Sequence, residues 1–310
     1  MTKNNTQGEL HMILGIDIGG TNVKFGVVDE NYRVVKGYSI PTGAARGDLA
    51  IVNDIIAQTK KIQKEFTFTR IGIGSPGNLD CDNGVCVRAS NLPYNNTPIT
   101  AMVSEATGVP AFLANDATAA VYGELYAGAG KNFNNIVMVT LGTGVGGGIA
   151  IDGKPYLGAS GGAGEIGHMI IKYDGLPCGC GQVGCYEQYA SVTALIRITK
   201  AAADANPDSL LAKLTAKGAN GRSAFDAKEK GCPVGAAVVD EYAENIAIGL
   251  KGLQWIFQPD AIILGGAISA QGENLLTPIR GKLTNPINLF TSALGNDAGV
   301  IGAAVVADKR

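Results

Sequence analysis

The sequence is poor in charge, in histidine and in long hydrophobic segments, and each shortage excludes a class of function. Charged residues make up 17% of the chain and the formal net charge is −2, so no broad basic surface is available for nucleic acid. No apolar run reaches the roughly 20 residues that span a bilayer, and no signal segment opens the chain. Six cysteines, three of them clustered, fit a reducing compartment better than a disulfide framework. We therefore expect a cytoplasmic protein with no membrane or nucleic-acid partner.

Histidine is confined to His11 and His168, and a run of three cysteines, CGCGQVGC, follows the second. Cys178, Cys180 and Cys185 supply three thiolates, which together with one imidazole satisfy tetrahedral Zn²⁺ in a closed site of structural type. The glycines between the thiols suit a metal knuckle and would weaken a helix or strand. The alternative is a set of buried apolar cysteines beside a satisfied core histidine. A closed zinc site has no open position for water, so we expect it to order a loop rather than to hydrolyse a substrate.

Two glutamates accompany this cluster, Glu165 in GEIGH and Glu187 in GCYEQYA. If one ring nitrogen of His168 binds zinc, the other carries a proton and can donate to a ligand hydroxyl. The two carboxylates would accept hydrogen bonds from other hydroxyls of the same ligand. The alternative is that both glutamates are solvated surface residues.

A glycine turn interrupts the first apolar segment, ILGIDIGGTNVKFGVVD. The pattern predicts a strand, a Gly19-Gly20-Thr21 turn and a second strand, and a hairpin excludes the Rossmann and Walker motifs, which need a helix after the glycines. The N–H groups of the turn could hold a phosphate, and Asp17 could hold Mg²⁺ through water. An ordinary hairpin would look the same.

The same pattern returns about 125 residues later in IVMVTLGTGVGGGIAIDG, with a Gly142-Thr143-Gly144 turn. This recurrence predicts two related domains that face each other across a cleft. A third pair, Gly265-Gly266, follows the apolar strand AIIL and precedes a segment predicted to begin as a helix. Close backbone approach at that pair would suit an adenosine.

Asn115 and Asp116 lie between the two hairpins, after a short apolar strand and at the start of an Ala-rich helix. Either residue could be a plain N-cap. As a general base, Asp116 would have to reach the attacking hydroxyl of a substrate. Phosphoryl transfer asks for such an aspartate, Mg²⁺ and dipoles around the phosphates.

A turn-rich segment, GSPGNLDCDNGVCVRASNLPYNN, contains Gly77 and Asn91. Glycine lets the backbone approach a ligand, and the Asn91 amide can both donate to and accept from a sugar hydroxyl. We expect a substrate loop here, although such composition is also that of an ordinary loop.

The ordered set DIGGTNVKFG, GIGSPGNLD, NLPYNN, ANDATAA, TLGTGVGGGI, GEIGH, CGCGQVGCYE, ILGGAIS and NDAGVIGAA resembles the ROK family of bacterial sugar kinases from about Met12 to the C-terminus. The resemblance implies the actin-like ATPase (ribonuclease-H-like) duplication, an α/β fold of two domains with ATP in the cleft between them. Residues 1–11 are then a disordered leader or a tag. Residues 12–116 with a C-terminal helix over 294–310 form a small domain, and residues 117–293 form a large domain that carries the zinc loop.

The resemblance also implies a role for each residue named above. Asp116 is the base that removes the proton of a hexose hydroxyl, and Asp17 binds the Mg²⁺ of MgATP. The sugar-binding positions are Gly77, Asn91, Asn115, Asp116, Glu165, His168 and Glu187. The nucleotide-binding positions are Asp17, Gly19, Gly20, Thr21, Gly142, Thr143, Gly265 and Gly266, and the zinc ligands are His168, Cys178, Cys180 and Cys185. The chain departs from many members at Tyr94-Asn95-Asn96, where an aromatic or Gly-Trp is common, and Lys24 receives no phosphate contact.

The leading hypothesis is therefore an ATP-dependent kinase that converts glucose to glucose 6-phosphate, with a homodimer or homotetramer favoured by the resemblance. Kinases of N-acetylmannosamine, N-acetylglucosamine, fructose, allose or a β-glucoside stay open, as does polyphosphate in place of ATP, because one or two loop residues decide which hydroxyls are bound. A second class is a sugar-responsive repressor, which we set aside because the eleven residues before the first strand hold no helix-turn-helix. A third is a sugar-binding protein without catalysis, which the presence of both aspartates disfavours.

Overall fold

Groups of strands and groups of helices follow one another along the chain in a computed structural model that describes residues 11–89, 91–159 and 162–310. Of the expected leader, only His11 falls within these residues. The strands are β1 Ile13–Ile18, β2 Asn22–Val28, β3 Val34–Pro41, β4 Arg70–Ser75, β5 Asn78–Asp80, β6 Val85–Arg88, β7 Ala111–Asn115, β8 Ile136–Leu141, β9 Val145–Ile151, β10 Lys154–Pro155, β11 Ala261–Gly265 and β12 Asn288–Thr291. The helices are α1 Asp48–Ile62, α2 Ile99–Thr107, α3 Asp116–Tyr126, α4 Glu187–Ala190, α5 Val192–Ala205, α6 Leu210–Thr215, α7 Ser223–Glu229, α8 Pro233–Phe257, α9 Glu273–Arg280 and α10 Ala298–Lys309. Within the described ranges, no helix is long and apolar enough to cross a membrane.

Two compact units divide the chain. Unit 1 holds the residues through Lys131 together with Asn296–Arg310, and unit 2 holds Asn132–Gly295. The first boundary therefore follows α3, whereas the sequence placed it before that helix, at Asp116. The physical reason is that α3 packs on α10 so closely that a Cβ at Gly302 would overlap the backbone carbonyl of Ala119.

One sheet topology occurs in both units. Unit 1 has the order β3-β2-β1-β4-β7 and unit 2 the order β10-β9-β8-β11-β12. In each sheet the first three strands are antiparallel neighbours and the last three are parallel. The antiparallel steps need only tight turns, whereas the parallel steps need crossover connections. The recurrence of the glycine hairpin in the sequence thus reflects a repeated sheet.

The core of unit 1 explains why its central strand is apolar at nearly every position. Side chains of β1 pack with α1, and α10 also packs on β1 and β4. A strand covered on both faces is expected to be hydrophobic throughout. The approach of α10 is so close that a Cβ at Gly72 in β4 would overlap the carbonyl of Ala303.

The core of unit 2 fixes the segment that follows the cysteine run. Tyr186 is fully buried and its hydroxyl donates to the Ile246 carbonyl of α8 at 3.0 Å. The Tyr242 hydroxyl of α8 donates in return to the Ala190 carbonyl at 2.8 Å. Because a buried hydroxyl without a partner is costly, this exchange holds α4, and with it Glu187, on the core.

Candidate functional site

The first glycine turn has the predicted form of a hairpin. Gly19, Gly20 and Thr21 connect β1 to β2, and the Gly19 N–H donates to the Asn22 carbonyl at 3.0 Å. Gly20 and Thr21 are exposed. The antiparallel register sets Lys24 directly opposite Asp17. We did not predict this pairing from the sequence, although it follows from the hairpin. The Lys24 ammonium donates to the Asn296 carbonyl at 3.1 Å.

Asp17 lies at the end of β1 in a mostly enclosed position. Desolvation raises the pKa of this carboxyl, the Lys24 ammonium lowers it, and the charge of Asp116 raises it. The carboxylate lies beside Gly299 in the first turn of α10, because a Cβ added there would come 2.6 Å from its carboxyl carbon. The positive end of the helix dipole favours an anion at such a place. The structure thus brings two of the predicted aspartates into one electrostatic group.

Asn115, and not Asp116, is the N-cap of α3. The Asn115 Oδ1 accepts from the N–H groups of Ala117 at 2.9 Å and Thr118 at 3.4 Å. Asp116, the first helical residue, accepts from the Ala117 N–H at 2.9 Å. Its carboxylate is open to solvent but lies in a recess, and burial among the surrounding atoms raises its pKa while the Ala117 N–H lowers it. The alternative that Asp116 is a plain N-cap is therefore wrong, because Asn115 caps the helix.

The predicted substrate loop lies at the same end of the unit 1 sheet. Ser75, the last residue of β4, pairs with Asn115 of β7, so that Gly77 follows close to the start of α3. Gly77 has φ 112°, and a Cβ there would lie 2.5 Å from the Arg88 carbonyl. The buried Tyr94 hydroxyl lies 3.0 Å from the Ser75 hydroxyl and holds the end of the loop to β4.

Asn91, in the middle of that loop, reaches the first glycine turn. A Cβ at Gly20 would lie 3.2 Å from the Asn91 Nδ2. One region of unit 1 thus contains Asp17, Gly20, Asn91 and Asp116. Their order in the sequence did not by itself require this proximity.

In unit 2, the second glycine turn borders a cavity of about 320 Å³. Its walls are Thr140, Gly142, Gly144, Val145, Gly146, Glu187 and Gly266. Three predicted site residues from distant parts of the sequence, Gly142, Glu187 and Gly266, therefore share one cavity. Thr143 and Gly265 adjoin it along the chain but do not line it.

Gly266 has the conformation that a close turn requires, whereas the predicted helix after it begins later. Its φ is 86°, and a Cβ would overlap the Leu141 carbonyl of β8. A 3-10 turn over Ala267–Gln271 follows, and α9 starts only at Glu273. The reason for the interruption is Gly272, whose φ of 53° and ψ of −126° end the first turn.

His168 and the three cysteines form the predicted four-ligand cluster. One ligand atom from each lies within 4.8 Å of all the others, with 3.7 Å between Cys178 Sγ and His168 Nδ1 and 3.6 Å between the Sγ atoms of Cys180 and Cys185. Zinc–ligand bonds of about 2.0 to 2.3 Å at tetrahedral angles place such atoms roughly 3.5 to 3.8 Å apart. The donor set and its spacing therefore fit Zn²⁺. Since Nδ1 faces the thiols, Nε2 is the nitrogen left to carry the proton.

Backbone geometry preforms this knuckle. The Cys178 N–H donates to the Gln182 carbonyl at 2.8 Å, and Gly181 and Gly184 both have positive φ, 92° and 81°. A Cβ at Gly184 would overlap the Lys172 carbonyl. Gly181 and Gly184 are thus favoured by the backbone of the turn, as the sequence pattern indicated, whereas Gly179 has no such requirement.

The two predicted glutamates differ in their surroundings. Glu187, at the start of α4, accepts from the Val145 N–H at 3.0 Å, and its other carboxylate oxygen lies 4.0 Å from Cys178 Sγ. Glu165 is exposed and precedes the 3-10 turn that carries His168, with its carbonyl accepting from the His168 N–H at 3.1 Å. The structure therefore joins Glu187 to both the cysteine cluster and the second glycine turn.

The repeated α/β sheets, the two glycine hairpins and the Cys₃His cluster define a sugar-kinase-like protein of the actin-like ATPase fold. A model of the ROK family matches residues 13–310, and the chain belongs to this family. It is similar to the glucokinase of Streptomyces coelicolor, with 36% identity over 96% of this chain and 97% of that protein. It is also similar to the glucokinase of Thermotoga maritima, with 34% identity over 96% of this chain and 98% of that protein.

Solved structures agree with this assignment. A ROK family glucokinase from Streptomyces griseus, crystallised in complex with glucose and AMPPNP, matches 96% of this chain and 100% of its own. The TM-score is 0.80 and the sequence identity 35%. The two-domain α/β fold expected from the sequence is thereby confirmed.

Proposed function

We propose that this chain is an ATP-dependent glucokinase, which transfers the γ-phosphoryl group of ATP to the 6-hydroxyl of glucose. The observation that carries the proposal is the pairing of full-length similarity to glucokinases with an Asp116 carboxylate that the helix cap does not use. A ROK structure with glucose and AMPPNP bound supports the same substrates.

In the proposed reaction the ionised Asp116 accepts the proton of the glucose 6-hydroxyl. The oxygen then forms a bond to the γ-phosphorus, the bond from that phosphorus to the β–γ bridging oxygen breaks, and ADP leaves with the electron pair. Asp17 would hold Mg²⁺, which neutralises charge on the phosphates. The Gly19 and Gly142 N–H groups donate to carbonyls within their own turns, so the N–H groups of Gly20, Thr21 and Thr143 are the ones proposed to bind phosphate oxygens, and Gly265-Gly266 borders the adenosine.

The sugar-binding residues are proposed from the motifs of the family. In unit 1 these are Gly77, Asn91 and Asn115, whose Oδ1 caps α3. In unit 2 they are Glu165, Glu187 and the Nε2–H of His168. Zinc bound by His168, Cys178, Cys180 and Cys185 would fix the ring orientation of His168 and order the loop before Glu187.

A substrate panel tests this proposal. ADP formation is measured with purified protein, Mg²⁺ and ATP against glucose, N-acetylglucosamine, N-acetylmannosamine, fructose, allose and cellobiose, and again with polyphosphate as donor. A kcat/KM for glucose and ATP far above all others is expected. Preference for an acetamido sugar or fructose would move the chain to another kinase of the family, and absence of turnover with every sugar would overturn the kinase assignment.

The assembly we propose is a homodimer or homotetramer, and the location is the cytoplasm, where ATP is supplied. Light scattering after size exclusion distinguishes these assemblies from a monomer of 31.8 kDa.

A further inference from the structure

Thr42, the residue after β3, holds two carbonyl groups of the first glycine turn. Its hydroxyl donates to the Gly19 carbonyl at 2.6 Å, and its N–H donates to the Thr21 carbonyl at 2.9 Å. The side chain is buried, with 1% of the residue exposed. A single threonine thus fixes both ends of the exposed Gly20-Thr21 segment.

The second glycine turn is held by a related pair of hydrogen bonds from a different element. The Val192 N–H at the start of α5 donates to the Gly142 carbonyl at 2.8 Å, and the Thr193 hydroxyl donates to the Thr143 carbonyl at 2.7 Å. In each unit one N–H and one threonine hydroxyl therefore occupy two turn carbonyls. The threonines come from a strand end in unit 1 and a helix start in unit 2, and the hydroxyl binds the first turn residue in unit 1 but the second in unit 2.

The consequence for an anion follows from the planarity of the peptide group. In a trans peptide the C=O and the N–H of the next residue point in opposite directions. Binding of the Gly19 and Thr143 carbonyls by threonine hydroxyls therefore directs the N–H groups of Gly20 and Gly144 away from the threonines. Within the described residues, the Gly20 N–H has no protein acceptor.

Unbound, these carbonyls could rotate outwards and present negative dipoles to a phosphate. Successive N–H groups that point to one side form an anion site, and one reversed peptide would weaken it. Thr193 is exposed, so its hydroxyl has water as an alternative partner and is not there merely to satisfy a buried group.

We propose that Thr42 and Thr193 are positioning residues for the ATP phosphates: each hydroxyl holds a turn peptide in the orientation that presents its N–H to an anion. This inference rests on the proposed phosphoryl transfer from ATP. It assigns a function to two residues that touch neither sugar nor nucleotide in the roles given above.

The test compares substitutions that remove the threonine hydroxyl but keep the side-chain shape with substitutions that keep the hydroxyl. Thr42→Val and Thr193→Val keep the side-chain shape and remove the donor, whereas Thr42→Ser and Thr193→Ser keep it. Thr59→Val is a matched control in unit 1, since Thr59 is a buried threonine whose hydroxyl has no hydrogen-bond partner among the described residues. Thr199→Val serves in unit 2, where the hydroxyl donates to its own helix at 2.7 Å.

Titration calorimetry with AMPPNP, with inorganic tripolyphosphate and with adenosine separates the phosphates from the base. Each valine variant is expected to weaken AMPPNP and tripolyphosphate binding about tenfold, the size of effect of one lost hydrogen bond. Adenosine and glucose affinities stay unchanged. KM for ATP rises by a similar factor, and both serine variants restore the wild-type values.

A merely structural role gives another result. If the valine variants melt at a lower temperature but bind AMPPNP and tripolyphosphate like the wild type, the inference is wrong. Turnover of glucose with unchanged phosphate binding in the variants would overturn the inference and leave the glucokinase proposal intact. Weakened phosphate binding in a protein that phosphorylates no sugar would support the inference and overturn the kinase proposal. Absence of AMPPNP binding by the wild type would overturn both.

Discussion

Glu187 Oε2 accepts a hydrogen bond from the Val145 N–H at 3.0 Å, which joins the start of α4 to the first residue of β9. The carboxylate lies so close to the second glycine turn that a Cβ at Gly144 would overlap it. Its other oxygen faces Cys178. One carboxylate thus links the cysteine cluster to the cavity beside the turn.

Glu187→Gln is expected to separate the structural contact from sugar binding. The amide oxygen can still accept from Val145, while the charge that would bind a sugar hydroxyl is lost. Glucose affinity should fall roughly tenfold or more, since hydrogen bonds to charged groups are worth more than neutral ones. Calorimetric titration with glucose measures this, and Glu241→Gln on the exposed face of α8 is the control. Equal glucose affinity in both variants would remove Glu187 from the sugar site.

Cys180→Ser is expected to release the metal. The exposed Cys180 is one of four ligands, and a three-ligand site binds Zn²⁺ far less tightly. Zinc content by mass spectrometry should fall from one per chain to near zero, with weaker glucose binding as the loop before Glu187 loosens. Cys81→Ser, outside the cluster, should keep its zinc. Full zinc content in Cys180→Ser would contradict the metal assignment.

Local patterns predicted those parts of the molecule that depend on neighbouring residues. The two hairpins follow from apolar strands on either side of glycine turns. The zinc ligands follow from the spacing of His168, Cys178, Cys180 and Cys185, because glycines among the cysteines permit the positive-φ turns of a metal knuckle.

The features that the sequence did not give depend on packing between distant segments. Asn115 and Asp116 are both good caps, and pairing of β7 with β4 decides which of them ends the strand. The unit boundary falls after α3 because that helix packs on α10, far along the chain. No local signal could have joined Thr42 to Gly19 or Glu187 to Val145.

Asp116→Asn is expected to abolish turnover while glucose binding persists. The amide has nearly the shape of the carboxylate but cannot accept the proton. We expect kcat to fall more than about a hundredfold with little change in the dissociation constant for glucose. Asp208→Asn, at an exposed position between α5 and α6, is the control. Activity above about a hundredth of the wild type would exclude Asp116 as the base.

The pH dependence of activity should report the environment of Asp116. Burial raises the pKa of this carboxyl above its ordinary 3.8. Because the base acts only when ionised, kcat/KM should decline as the pH falls through this raised pKa, at a higher pH than for an aspartate with the ordinary pKa. A profile of kcat/KM from acid to neutral pH measures where this decline at low pH occurs. A flat profile down to the ordinary pKa would contradict the assignment.

The stability of the fold should also depend on the protonation of Asp116, but it should fall as this carboxyl ionises, whereas activity should rise. A carboxyl whose folded pKa is raised binds its proton more tightly in the folded state, so the stability of the fold falls as the pH rises from the ordinary pKa through the raised one. Asp116→Asn should therefore melt at a higher temperature than the wild type at neutral pH. The gain should vanish below the ordinary pKa, where both side chains are neutral. Calorimetric scans at the two pH values measure the melting temperatures of both proteins. A lower melting temperature of Asp116→Asn at neutral pH would show that the ionised carboxylate does not destabilise the fold.

Thr59→Val should stabilise unit 1. Thr59 is fully buried in α1, and within the described residues its hydroxyl has no hydrogen-bond partner. Valine has the same branched shape, so the change removes a desolvated polar group without opening a cavity, and we expect a gain of about 1 kcal/mol. Thr199→Val is the matched comparison, because its equally buried hydroxyl donates to the Leu195 carbonyl at 2.7 Å. Urea unfolding should show the gain in Thr59→Val alone. Equal changes in the two variants would mean that the hydroxyl of Thr59 is satisfied in solution.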